Sequence, residues 1–83
     1  MSTPRPVIDH AYRGGHEGLA GWWIGLAYSP QNVERIKSLI PWRDRSWSED
    51  KKEWWIAIEY QDVFAAAFPA FEAYLTQGAL PGF

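Results

Sequence analysis

The chain has no cysteine in its 83 residues. Disulfide scaffolds, thiol catalysis and cysteine-based zinc sites are thereby excluded. No stretch approaches the ~18 apolar residues of a membrane-spanning helix. The opening MSTPRPVIDH lacks the basic head and apolar run of a secretory leader. A soluble cytoplasmic protein with no membrane partner is the expectation. Neither sign of charge dominates, with eight Lys and Arg against ten Asp and Glu and a net charge of −2. That balance argues against a strongly basic nucleic-acid binder and against a disordered acidic tail.

Catalytic signatures are also missing. No glycine-rich phosphate loop precedes a helix, and there is no GxSxG nucleophile elbow. The histidines His10 and His16, even with Glu17 adjacent to the second, match neither a helical HExxH nor a zinc-finger spacing. Asp44, Glu49 and Asp50 lack the ligand spacing and the sharp glycine of a calcium loop. No enzyme activity, cofactor or metal is expected, and the question becomes what the protein binds.

What the chain does have is aromatic residues. Six Trp, four Tyr and four Phe stand among 83 residues. A chain this short makes one domain over 1–83, and it buries only about 60% of its unfolded surface. Large aromatic side chains are the means to a sufficient core.

The local patterns read as ββαββα. Residues 1–6, with two prolines, are a loose lead-in. Val7–Tyr12 is a short strand in which Ile8, His10 and Tyr12 would share a face. Arg13–Gly18 is a glycine turn, with Gly14 and Gly15 free to take positive φ. In Leu19–Tyr28, Trp22, Ile24 and Leu26 alternate with Trp23, Gly25 and Ala27. Ser29-Pro30 is a capped helix start, and Val33, Ile36 and Ile40 mark the buried stripe. Pro41 ends that helix. Arg43–Trp47 and Glu53–Tyr60 form a second hairpin around the polar tip Ser48–Lys52. Asp62 caps a last helix with Phe64, Phe68, Phe71 and Leu75 on one face. That helix kinks at Pro69 and stops at Gly78, before a tail over 78–83 whose Leu80 and Phe83 fold back. The expected architecture is an α+β two-layer domain, an antiparallel sheet with both helices on one face.

Charge is unevenly distributed. Residues 29–54 hold six of the eight bases and five acids, whereas residues 55–83 hold three acids and no base. Four of the six Trp, at 42, 47, 54 and 55, lie in or beside the mixed-charge hairpin. Exposed aromatics among cations can stack unpaired bases while the cations hold phosphates. Packing between sheet and helix is the alternative use of each Trp. Adjacent residues on a strand point to opposite faces, so Trp22/Trp23 and Trp54/Trp55 each place one indole away from the helices. That makes an exposed aromatic patch on the sheet a candidate contact surface.

Two segments carry a family resemblance. YSPQNVERIKSLIP over 28–41 and RSWSEDKKEWWI over 45–56 give a capped helix, Arg-x-Trp, a charged turn and a second Trp opening a strand. This rhythm, over roughly residues 19–75, resembles the HARP-type domain that accompanies SNF2-like annealing helicases. The resemblance implies a module binding single-stranded or branched DNA. The chain differs in its acidic balance, and in Ser48-Glu49-Asp50 where that family carries an Asp-Pro step.

Two functions follow as expectations. The first is a non-enzymatic module for single-stranded or forked DNA, with Arg43, Arg45, Lys51 and Lys52 on phosphates and Trp47 and Trp54 as aromatic contacts. The second is a protein-interaction factor, such as a phage protein docking on a host protein, that uses a Trp-rich sheet face or the acidic last helix. A third possibility is self-association through an edge strand, with no further function.

Overall fold

The computed structural model describes residues 8–27 and 29–79. Strands β1 (Ile8–Arg13), β2 (Gly21–Leu26), β3 (Arg45–Ser48) and β4 (Glu53–Ala57) form one four-stranded antiparallel sheet in the order β1-β2-β4-β3. Helices α1 (Pro30–Leu39), α2 (Gln61–Ala67) and α3 (Glu72–Ala79) complete the α+β domain. No helix among the described residues is long and apolar enough to cross a membrane. The lead-in 1–6, Tyr28 and the expected packing of Leu80 and Phe83 lie outside the described residues.

Helix α1 begins as its sequence dictates. Ser29 is extended and its Oγ accepts from the Asn32 N–H at 3.0 Å, while Pro30 occupies the first turn, where no N–H partner is needed. Ile40 returns to extended backbone ahead of Pro41. The stripe is as expected, with Ile36 and Ile40 fully buried and Val33 partly so.

The second helical region is broken rather than gently kinked. Phe68, ahead of Pro69, leaves the helical region at φ −126°, ψ 83°, and a 3₁₀ turn over Pro69–Phe71 restarts the chain into α3. The break still lets Phe64, Phe68 and Phe71 converge. All three are buried, and the Phe64 ring meets those of Phe68 and Phe71. The expected Asp62 cap is not made: the helix starts at Gln61, with Asp62 inside its first turn. Gly78 does not stop α3, which continues to Ala79.

The helices cover one sheet face. Ile8, Trp22, Ile24 and Ile56 meet Ile36, Ile40, Phe64, Phe68 and Phe71 in the main core. Each such side chain contributes roughly 1.5–3 kcal/mol by leaving water. Strand β4 is shorter than its alternation suggests, because Ile58–Tyr60 turns into a 3₁₀ segment. Likewise a 3₁₀ turn over Trp42–Asp44 delays β3 to Arg45.

The face of β1 differs from expectation. Ile8 pairs with Leu26 but His10 pairs with Gly25, so Asp9 is an extra residue in a bulge. The bulge sends Ile8 to the helix side and leaves His10 and Tyr12 on the other. The glycine turn also reverses elsewhere than expected. His16 and Leu19 exchange backbone hydrogen bonds of 2.9 and 3.0 Å, and positive φ falls on Glu17 (52°) and Gly18 (82°). That is a primed two-residue turn, whose twist suits a hairpin.

Candidate functional site

The face away from the helices carries Trp23 and Trp55, as strand alternation requires. It is not an open aromatic patch, because the two indoles are only 7% and 1% exposed. The Gly14–Gly18 segment folds over them. The Trp23 Nε1–H donates to the Gly15 carbonyl at 3.3 Å, and the Trp55 Nε1–H to the Gly14 carbonyl at 3.0 Å. The His16 ring lies against both indoles. Gly14 matters here for its missing side chain: a Cβ would stand 2.6 Å from the Trp23 ring.

Beside this lid, Glu53 is buried on the same face and fully engaged. It accepts from Tyr12 Oη–H at 2.7 Å and pairs with His10 Nε2 at 2.5 Å. Burial pushes the Glu53 carboxyl upward, but the hydrogen bonds from Tyr12 and His10 and the nearby positive charge of His10 and Lys51 outweigh it. Its pKa is lowered overall. The same bond to Glu53, reinforced by burial and the carboxylate charge, raises Tyr12. The contacts of this cluster are internal to the sheet.

The six residues expected to contact nucleic acid are dispersed. Arg45 lies on the helix side but points to the end of α1, where its Nε–H donates to the Ile40 carbonyl at 2.9 Å. Arg43 stands in the 3₁₀ turn with its guanidinium 5.8 Å from the Trp42 ring centre. Lys51 crosses to the opposite face, its ammonium 4.0 Å from the Trp23 ring centre. Lys52 pairs with Glu49, and that contact holds the Glu49 carboxyl below its usual range, helped by a hydrogen bond from Trp47.

Only Trp47 and Trp54 come together. They are direct cross-strand partners, their ring centres 5.3 Å apart and their planes inclined by 55°. Being opposite each other, they point to the same side, the helix side. There α1 does not cover them fully. Leu26 and Ala27 at the end of β2, Val33 and Lys37 on α1, and the two indoles line a cleft of about 330 Å³. Trp47 is 43% exposed at its rim. The Trp47 Nε1–H is taken by Glu49 at 3.0 Å.

The sequence reading named Trp47 and Trp54 but missed Val33 and Lys37. Their separation of one helical turn puts them on a common stripe. The signal available in the chain is that stripe together with the short edge strand β3.

Neither a family model, nor a curated protein, nor a solved structure matches this chain. The HARP-type resemblance therefore rests on the quoted residues alone.

Proposed function

We propose that the protein is a non-enzymatic interaction module that holds an apolar side chain of a partner protein in the Trp47–Trp54 cleft. One observation carries this reading. Trp47 and Trp54 stand in a concave apolar cleft, whereas Trp23 and Trp55 on the other face are closed under a glycine lid, and the exposed Trp42 and Tyr12 lie outside the cleft. Large aromatics at a partly exposed, concave position are the usual anchors of protein interfaces. A photo-crosslinking amino acid at Val33 tests the reading. In cells it joins the chain to a defined protein, while the same group at Asp9, on β1, does not. Equal crosslinking from both positions, or crosslinks to nucleic acid alone, contradicts it.

A second reading is a module for single-stranded or forked DNA. It is favoured by the resemblance to the HARP-type domain and by a cleft lining that joins two tryptophans to a cation, Lys37. The dispersal of Arg43, Arg45, Lys51 and Lys52 weighs against it. Fluorescence anisotropy with a labelled thymidine oligomer and a forked duplex at ~50 mM salt decides it, since each phosphate contact adds about 0.7 to the log–log salt slope for single strands.

A further inference from the structure

We infer that the segment held by the cleft is acidic as well as apolar: one large apolar side chain seats between the tryptophans, and a neighbouring carboxylate meets Lys37. The inference rests on the reading of the cleft as a protein contact.

Charge complementarity is the first support. Lys37 is the sole ionisable side chain in the cleft lining. It is exposed and takes part in no ion pair among the described residues. Glu49 at the hairpin tip is engaged by Lys52 and by the Trp47 N–H, and Glu34, one turn before Lys37 on α1, forms no ion pair with it among the described residues. The cleft lining therefore carries a cation that is in no ion pair among the described residues, beside apolar walls. A basic partner segment would place like charges together, which interfaces avoid.

The indoles give the second support. Four of them spend their N–H internally: Trp22 on Gln61, Trp23 on Gly15, Trp47 on Glu49 and Trp55 on Gly14. Trp54 is half-buried in the cleft, and its N–H has no partner among the described residues. The cleft lining thus includes one cation and one indole whose N–H is unspent among the described residues. An acceptor-rich, negatively charged neighbour to an apolar side chain satisfies both. A volume of about 330 Å³ suits one large side chain. It lies at the small end of the range for ligand sites, roughly 300–1,000 Å³.

Nucleic acid also joins a flat apolar group to an anion. Its phosphates repeat along the chain, however, and tracking them needs a row of cations. Arg45, Lys51 and Arg43 are committed to Ile40, Trp23 and Trp42 at other places on the domain.

The test is calorimetric titration of the whole chain with two blocked peptides, DDFLDD and KKFLKK, and with a thymidine oligomer. The acidic peptide is expected to bind roughly tenfold tighter than the basic one, the combined effect of one gained and one opposed charge contact. Lys37→Glu reverses that preference and Lys37→Gln abolishes it, with circular dichroism checking that each variant is folded. Equal or tighter binding of the basic peptide overturns the acidic assignment and leaves the cleft as a protein contact. An unchanged preference in both Lys37 variants, or binding of neither peptide, overturns it too, and the Val33 crosslink then decides the cleft separately. Saturable binding of the oligomer alone overturns both.

Discussion

Trp23 and Trp55 stand directly opposite each other on β2 and β4, and their indole N–H groups donate to consecutive carbonyls of one turn, Gly15 and Gly14. Two tryptophans that could have formed a sticky sheet face instead hold down their own cover. On the helix side, Trp47 and Trp54 sit in an open cleft at the margin of α1.

The pairing of β2 with β4 requires a glycine at position 21. A Cβ at Gly21 would lie 2.2 Å from the Ile56 carbonyl oxygen and 2.6 Å from the Trp55 ring, and neither neighbour has room to move. Gly21→Ala is expected to destabilise the fold by about 1–3 kcal/mol through overpacking. A urea midpoint unchanged from the parent protein would show that β2 and β4 do not approach as described.

Glu53 makes stability fall in acid. Its pKa is lowered in the fold, against the pull of burial, by Tyr12, His10 and the positive charge around it. A lowered carboxyl stabilises above its unfolded value and loses that contribution as pH drops through its folded value. Urea midpoints should therefore decline below about pH 4.5. Glu53→Gln, which keeps the shape and loses the charge, flattens that decline. Tyr12 is raised, so its contribution is present in the neutral range and is lost in strong alkali; Tyr12→Phe removes that alkaline loss.

The start of α1 is set by one hydroxyl. Ser29→Ala removes the bond to the Asn32 N–H and is expected to cost about 1 kcal/mol. Chemical denaturation measures it, and a loss under a few tenths would mean that packing alone fixes the helix start.

Two tryptophans should respond in opposite ways to truncation. Trp55→Ala empties a fully buried site and is expected to cost about 3–5 kcal/mol. Trp47→Ala leaves the main core intact, so the protein stays folded while contact at the cleft weakens at least tenfold. Parallel denaturation and binding curves separate the two roles.

Much of this architecture was legible in the chain. The Ser29-Pro30 start, the Ile36/Ile40 stripe, the phenylalanine face and both hairpins follow from short-range patterns. The faces of β1 were not legible, because a bulge at Asp9 leaves no mark in a pattern of period two. Nor was the lid: that Trp23 and Trp55 are covered depends on how a turn in the first hairpin meets a strand of the second. Of the candidate site, the indoles of 47 and 54 were legible as aromatics beside a charged turn. The dispersal of the cations was not legible, because linear clustering does not reveal that Lys51 and Arg45 point to opposite faces.

The proposed contact falls on the Trp47–Trp54 cleft and spares the lidded face. The six indole N–H resonances of the ¹⁵N-labelled chain, followed by NMR as the DDFLDD peptide is added, test it most directly. Trp54 is expected to move most and Trp47 with it, while Trp22, Trp23 and Trp55 hold their positions. Movement of Trp23 and Trp55, with Trp47 and Trp54 unchanged, would contradict it.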